Sequence, residues 1–140
     1  MPRFVLLYHD CPSSAGKPSH WDLMLERGGS LMTWSLEHLP QSWRPSSPGG
    51  PAAPVEETLA ARRLADHRLA YLEYEGPLSG GRGHVARRDA GAYRVLGETA
   101  QTLTVELAGG SIAGLVRLEL QQDGPGRAVF GRGQGAGGEG

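Results

Sequence analysis

The chain has 140 residues, of which 39% are apolar and 6% aromatic, and its 14 basic and 15 acidic residues give a formal charge of -1. This length suits one domain with a modest core, and the balanced charge excludes a general electrostatic affinity for nucleic acid or membranes. The 22 glycines and 10 prolines argue against a helical bundle. Because no apolar run approaches the roughly 20 residues of a membrane span, and the N-terminus lacks the apolar stretch of a signal peptide, we expect a soluble, cytoplasmic protein.

Apolar and polar residues alternate along much of the chain, which is the pattern of half-buried β-strands. Trp21 and Leu23, for example, fall on one face of such a strand, and Asp22 and Met24 fall on the other. The predicted strands cover residues 4–8, 21–26, 31–36, 71–75, 102–107 and 115–120. They predict a mainly β, compact, barrel-like single domain with little helix. Residues 55–66 favour helix by composition, and the sequence leaves helix and strand open there.

Two stretches carry few signals of regular structure. Residues 40–54 contain five prolines and predict an irregular surface loop. Residues 123–140 contain eight glycines among 18 residues, which predicts a flexible C-terminal tail. We therefore expect a folded domain over residues 1–130 and disorder over residues 131–140.

Candidate metal ligands lie near the first two predicted strands. His20 and Asp22 are two residues apart on a strand, so both side chains point to the same face. His9 follows the strand at residues 4–8 and joins them if the two strands are neighbours. Two imidazoles and one carboxylate suit manganese, iron or zinc and leave positions open for substrate and water. Polar residues on the solvent face of a strand would give the same spacing without a metal.

The single cysteine, Cys11, contributes nothing to this expectation. It can form neither an internal disulfide nor, alone, a structural site of four thiolates. We therefore expect any metal to be held by histidine and carboxylate.

A second group of candidates follows further along the chain. His67 precedes Tyr71 by four residues, and the two side chains could reach one anionic oxygen, with the histidine as general acid or phosphate donor. An exposed loop histidine is the alternative interpretation. His84 lies between Arg82 and Arg88, where a basic strand could touch phosphate, although a solvated strand face explains the same residues.

Two ordered blocks of residues in this sequence carry a resemblance to a known family. The first block is Arg3, Phe4, Val5, His9, His20, Asp22, Leu23, Leu25, Glu26, Gly29, Leu31, Trp34 and Ser35, and the second is Asp66, His67, Tyr71, Glu75, Gly76, Gly80 to Gly83, Val85, Asp89, Gly91 and Tyr93. Together, over about residues 3–95, they resemble the 3'-phosphoesterase domain of bacterial DNA ligase D.

The resemblance implies a compact β-barrel-like domain with a divalent metal, most often manganese, with zinc or cobalt as alternatives. It implies action on 3' ends of DNA or RNA-tipped primers, with removal of a terminal ribonucleoside and then of the 3'-phosphate. By position, it implies that His9, His20 and Asp22 are metal ligands and that His67 and Tyr71 are catalytic residues at the scissile phosphate. Further candidates for phosphate contacts are Arg62, Arg82, His84 and Arg88. Because the sequence contains no ligase or polymerase segment, we expect such a partner to act in trans, and we take a monomer as the default.

One departure from the family pattern bears on activity. The family has an arginine two residues after the metal-binding aspartate, where this sequence has Met24. Loss of such a transition-state donor costs about 10² to 10³ in rate. An arginine from another strand could replace it, and the candidates are Arg62, Arg63, Arg82, Arg87 and Arg88.

The sequence therefore leaves more than one function open. The first is an active metal-dependent 3'-phosphoesterase in DNA end repair. The second is a catalytically degenerate member of the family that binds nucleic-acid ends or a protein. A mononuclear iron oxygenase, which also uses two histidines and one carboxylate, is a remote third.

Overall fold

The computed structural model describes residues 1–45, 49–50, 54–122 and 124–132, and this part of the chain is mainly β, as predicted. The strands are β1 (Arg3–Asp10), β2 (His20–Arg27), β3 (Ser30–Leu36), β4 (Glu56–Ala60), β5 (Arg62–His67), β6 (Gly76–Pro77), β7 (His84–Glu98), β8 (Thr102–Gly109), β9 (Ala113–Glu119) and β10 (Arg127–Gly131). Short 3-10 turns cover Ser13–Ala15, Gln41–Trp43, Leu69–Leu72 and Ser79–Gly81. Among the described residues no helix is long and apolar enough to cross a membrane.

All of these strands belong to one antiparallel sheet. Its order is β4-β10-β9-β8-β7-β1-β2-β3-β5, and the short β6 pairs with β7. The first and last strands of this order are joined in sequence by a single residue, Ala61, so the sheet must curl until its two ends meet. The ladder of backbone hydrogen bonds is not closed there, because β4 pairs with β10 whereas β5 pairs with β3. The shape is therefore barrel-like without a closed barrel of strands.

Side chains bridge the seam between the two ends of the sheet. The Trp34 Nε1 group donates a hydrogen bond of 2.8 Å to the carbonyl oxygen of Glu119. Arg63 donates to the carbonyl oxygen of Leu120 at 3.0 Å, and its guanidinium lies 5.0 Å from the centre of the Trp34 ring. Arg63 is one of the arginines that could have replaced the missing phosphate ligand. In the structure it instead helps to hold the two ends of the sheet together.

Alternation along the strands divides the apolar side chains between two clusters. The interior of the curled sheet holds the main core, whose members on β1, β2 and β3 are Phe4, Leu6, Leu23, Leu25, Met32, Trp34 and Leu36. A smaller cluster on the outer face consists of Val5, Leu7, Met24, Leu31, Leu72 and Val85. His20 and Asp22 alternate with the interior residues of β2, so the outer face also carries the candidate ligands.

Several sequence-based expectations need correction or completion. Residues 71–75 do not form a strand: the chain makes a 3-10 turn at Leu69–Leu72, in which Tyr71 N–H donates to the Arg68 carbonyl. This turn places Leu72, which is only 6% exposed, over the outer face of the sheet. Residues 55–66, left open between helix and strand, are extended and contain β4 and most of β5.

The loop and the tail agree only partly with expectation. The proline-rich loop begins with the 3-10 turn Gln41–Trp43, in which Trp43 is buried, and residues 46–48 and 51–53 lie outside the described part. The sequence pattern did not predict β7 and β10, and β10 continues to Gly131. Residues 133–140, for which we expected disorder, also lie outside the described part.

Asp89 on β7 fixes the turn between β8 and β9. Its carboxylate accepts backbone hydrogen bonds from Gly110, Ser111 and Ile112 at 2.7 to 3.0 Å. Burial of the carboxyl tends to raise the pKa of Asp89, but these backbone N–H groups outweigh it and hold the pKa below its ordinary value. The folded state therefore binds this proton less readily than the unfolded chain, which makes the carboxylate stabilising at neutral pH.

We predict that Asp89→Asn lowers the free energy of unfolding by about 1–3 kcal/mol at pH 7, because an amide replaces a charged acceptor of three hydrogen bonds. The wild-type advantage should shrink as the pH falls below about 4, the ordinary pKa of an aspartate, and should be lost only as the pH falls through the lower pKa of the folded state. Urea unfolding at pH 7 and pH 3 measures both effects. Glu37→Gln, at an exposed position, is the control. Equal destabilisation by Asp89→Asn at both pH values would contradict this role.

Candidate metal centre and its cavity

The pairing of β1 with β2 sets two histidines side by side. The strands are antiparallel with His9 opposite His20, so the strands are neighbours as the sequence analysis required for a common site. Residues directly opposite each other in such a pair project to the same face. The centres of the two imidazole rings are 4.8 Å apart.

Asp22 lies on the same face and contacts both rings. Its Oδ1 atom is 3.3 Å from His20 Nε2, and its Oδ2 atom is 3.9 Å from His9 Nδ1. The residue is only 4% exposed, and no group in the described part of the chain forms a well-aligned hydrogen bond with Oδ1. A buried carboxylate oxygen without a partner is costly, so this position favours a cation.

Backbone carbonyls orient both imidazoles toward this carboxylate. His9 Nε2 lies 2.8 Å from the carbonyl oxygen of Arg82, and His20 Nδ1 lies 3.1 Å from that of Pro18. Each ring donates one N–H to a carbonyl, so its other nitrogen faces Asp22. The carboxylate raises the pKa of His20, and burial of the ring opposes this. Histidines held in this way by carbonyls are typical of metal ligands, and the donor set fits a divalent cation.

Cys11 joins this group, which the sequence analysis did not anticipate. The Cys11 sulfur and one nitrogen of each of His9 and His20 all lie within 4.8 Å of one another. Burial raises the pKa of the Cys11 thiol, and Lys17 opposes this shift. Cys11 is therefore a candidate ligand that the expectation of histidine and carboxylate alone did not include.

His9, His20 and Asp22 line a cavity of about 470 Å³ on the outer face of the sheet. The lining residues are His9, Ser14, Lys17, His20, Asp22, Met24, Leu64, His67, Tyr71, Leu78, Gly80, Gly81, Arg82 and Val85. The structure thus brings His67 and Tyr71, two separate sequence candidates, to the same cavity as the three proposed ligands. A larger cavity of about 630 Å³ lies elsewhere, has a mainly apolar lining and contains none of these candidates.

His67 and Tyr71 form one side of the cavity. His67 ends β5, and Tyr71 lies in the 3-10 turn that follows it, which places the two rings 5.8 Å apart in an edge-to-face arrangement. His67 Nδ1 donates to the carbonyl oxygen of Ala65 at 2.9 Å. The ring is therefore oriented by its own strand, and Nε2 is the nitrogen left for a substrate or a water molecule.

This arrangement agrees with the comparison to known families. The model of the DNA ligase D 3'-phosphoesterase domain matches residues 9–121, well over half of the chain. The chain belongs to this family. No curated protein matches the sequence.

Within this 3'-phosphoesterase domain, Met24 occupies the floor of the cavity. It shares its face with His20 and Asp22, as the alternation predicted, and it is 1% exposed. The Met24 side chain packs in the outer apolar cluster with Val5 and Leu7. The position where the family has an arginine is therefore part of an apolar surface in this member.

The candidate phosphate contacts are spread over several places. Of the four, only Arg82 lines the cavity. Arg62 is exposed and lines a separate depression beside it, and His84 is exposed with its Nε2 atom 3.7 Å from an Asp10 oxygen. Arg88 donates to the carbonyl oxygen of Trp43. Among the other arginines considered, Arg87 donates to the Leu72 carbonyl.

Sequence reasoning missed one cation at the cavity, Lys17. It is the only lysine of the chain and lies in the loop between β1 and β2. A loop residue has no periodicity to reveal where its side chain points. Its position between His9 and His20 in sequence was the one available signal.

Gly83 allows the Arg82 carbonyl to reach His9. Its φ angle is +93°, and a Cβ atom at this position would lie 1.9 Å from the carbonyl oxygen of Asp10. A side chain here would force the loop containing Arg82 away from β1 and break its contact with His9.

We predict that Gly83→Ala weakens metal binding by about 10- to 100-fold, the usual cost of losing an outer hydrogen bond to a ligand histidine. Isothermal titration with manganese and with zinc measures this loss. Gly28→Ala is the control, because Gly28 also has a positive φ angle but has open space around its Cβ position. It should lose about 1–2 kcal/mol of stability and retain its metal affinity. Equal metal affinity in both variants would show that the carbonyl does not support His9.

Proposed function

We propose that this protein is a divalent-metal-dependent 3'-phosphoesterase that removes a 3'-ribonucleoside or a 3'-phosphate from DNA ends during repair. The observation that carries the proposal is the buried Asp22 carboxylate between two oriented imidazoles. His9, His20 and Asp22 hold the cation, for which the family suggests manganese. His67 and Tyr71 act on the substrate in the same cavity.

The remaining chemistry follows from the cavity's own side chains. A bound divalent cation would neutralise charge on the non-bridging phosphate oxygens and make a bound water more acidic. Tyr71 donates its hydroxyl proton to a phosphate oxygen. His67, fixed through Nδ1, exchanges a proton at Nε2 with the attacking water or the leaving oxygen. Because the arrangement exists before substrate binds, little reorganisation is needed in the transition state.

Lys17 and Arg82 replace the charge that the family places at the Met24 position. Both line the cavity from loops, whereas Met24 fills its floor. The guanidinium of Arg82 is held by Ser79, whose carbonyl and hydroxyl oxygens accept bonds of 2.8 and 3.1 Å. A phosphate in the cavity would therefore meet a positioned guanidinium and a more mobile ammonium group.

The direct test is release of 3'-phosphate from a primer-template in the presence of manganese, zinc or cobalt. Asp22→Asn should lower the rate by more than about 100-fold, because it weakens a ligand rather than an outer contact. His84→Ala, outside the cavity, should retain the wild-type rate. A wild-type protein that leaves 3'-phosphate and 3'-ribonucleotide ends intact with every metal would refute the proposal.

Met24 favours one alternative, a degenerate family member that binds 3' ends without turnover. The two functions differ in what Lys17 and Arg82 do. If the enzyme is active, Lys17→Ala and Arg82→Ala each lower the rate by about 10- to 100-fold. The upper end of this range approaches the rate loss caused by removing one transition-state donor from an enzyme. If it only binds, wild type shows salt-dependent affinity for a 3'-phosphate end with no product. In that case Met24→Arg should restore hydrolysis, whereas Met24→Leu, which keeps the apolar floor, should not.

A further inference from the structure

The thiol of Cys11 lies within reach of the proposed metal centre. Its sulfur and one nitrogen of each of His9 and His20 all lie within 4.8 Å of one another. With zinc–nitrogen bonds near 2.0 Å and zinc–sulfur bonds near 2.3 Å, ligand atoms of a tetrahedral site are about 3.3–3.8 Å apart. The three atoms therefore need to approach one another by at most about 1.5 Å to share one ion.

The backbone of Cys11 is fastened to the strand that carries His20. Cys11 comes two residues after His9, just beyond the end of β1. Its N–H donates a hydrogen bond of 2.9 Å to the hydroxyl oxygen of Ser19, the residue before His20. The Ser19 hydroxyl in turn lies 3.2 Å from an Asp10 carboxylate oxygen. The two ends of the loop between β1 and β2 are thus held together.

A second observation indicates that this group suits a cation. Asp22 is 4% exposed, its Oδ1 atom faces His20 and its Oδ2 atom faces His9. No described residue forms a well-aligned hydrogen bond with Oδ1. The carboxylate supplies the negative charge, and the two imidazoles supply neutral nitrogen ligands. A thiol completes the four ligands of a resting tetrahedral ion, and expansion to five ligands would admit the water or phosphate oxygen that the proposed function requires.

We propose that Cys11 is a fourth protein ligand, so that His9, Cys11, His20 and Asp22 form a site that selects zinc or cobalt over manganese. This rests on the metal centre of the proposed function and changes its preferred ion. As the sulfur–metal bond forms, the thiol releases its proton to solvent. A thiolate is a soft ligand that favours zinc, whereas manganese favours oxygen ligands.

Cobalt titration tests the sulfur ligand directly by absorption spectroscopy. Cys11 is the only cysteine, so a sulfur-to-cobalt charge-transfer band in the near ultraviolet can arise from no other residue. Wild type should show this band together with intense visible bands of tetrahedral cobalt. Cys11→Ser should lose the charge-transfer band and still bind cobalt through the other three ligands. Ser13→Ala, an exposed change in the same loop, should keep the wild-type spectrum.

Metal preference gives a second readout. Cys11→Ser should weaken zinc binding by at least about tenfold and leave manganese binding within about threefold of wild type. In the wild-type protein, zinc should slow alkylation of Cys11 by iodoacetamide much more than manganese does. The alkylation experiment needs no variant, so it is independent of any folding defect in Cys11→Ser.

The outcomes separate this inference from the proposed function. Cobalt binding without a charge-transfer band, or zinc that leaves alkylation unchanged, overturns the role of Cys11 while the three-ligand centre stands. No binding of cobalt, zinc or manganese overturns both. Wild-type hydrolysis with a sulfur-coordinated ion supports both.

Discussion

The candidate site depends on the register of one pair of strands. His9 and His20 face each other only because β1 and β2 pair as they do. A slip of one residue would turn every side chain of β2 to the opposite face, which would bury Asp22 in the main core and expose Leu23. Each large side chain that is fully buried contributes about 1.5–3 kcal/mol. The interior residues of β2 therefore hold the outer, polar residues in register.

This dependence explains which features could be predicted from the sequence. Alternation is a local signal, so β1, β2 and β3 were predicted, and so was the common face of His20, Asp22 and Met24. Residues 71–75 alternate in the same way, but Leu72 is needed as a cover for the outer face, and tertiary packing overrides the pattern. The long β7 lacks clean alternation because it passes three neighbours, β6, β1 and β8, with different surroundings along its length.

The parts of the site that the sequence did not reveal come from backbone groups and loops. The carbonyl oxygen of Arg82 orients His9 across 73 positions of sequence, and a carbonyl carries no residue-specific signal. Cys11 and Lys17 lie among the ten residues between His9 and His20, and no periodic pattern there shows which side chains point back toward the histidines. The hydrogen bond from the Cys11 N–H to the Ser19 hydroxyl fixes the Cys11 backbone, and it can be recognised only once the strands are paired. The resemblance to the family supplied His67 and Tyr71, which local spacing alone left ambiguous.

Met24 shows how the same fold can distribute charge differently. An arginine at this position would have to carry its stem through an apolar cluster that includes Leu31 and Val85 and bring its charge into the cavity from the floor. The Met24 thioether keeps that cluster continuous, and the positive charges of the cavity lie on Lys17 and Arg82 in the surrounding loops. Charges on loops adapt to a ligand more easily but are less firmly preorganised, which costs transition-state stabilisation. If the cavity binds a cation as proposed, it would therefore rely more heavily on that cation, because the sheet itself fixes the buried carboxylate and the oriented imidazoles.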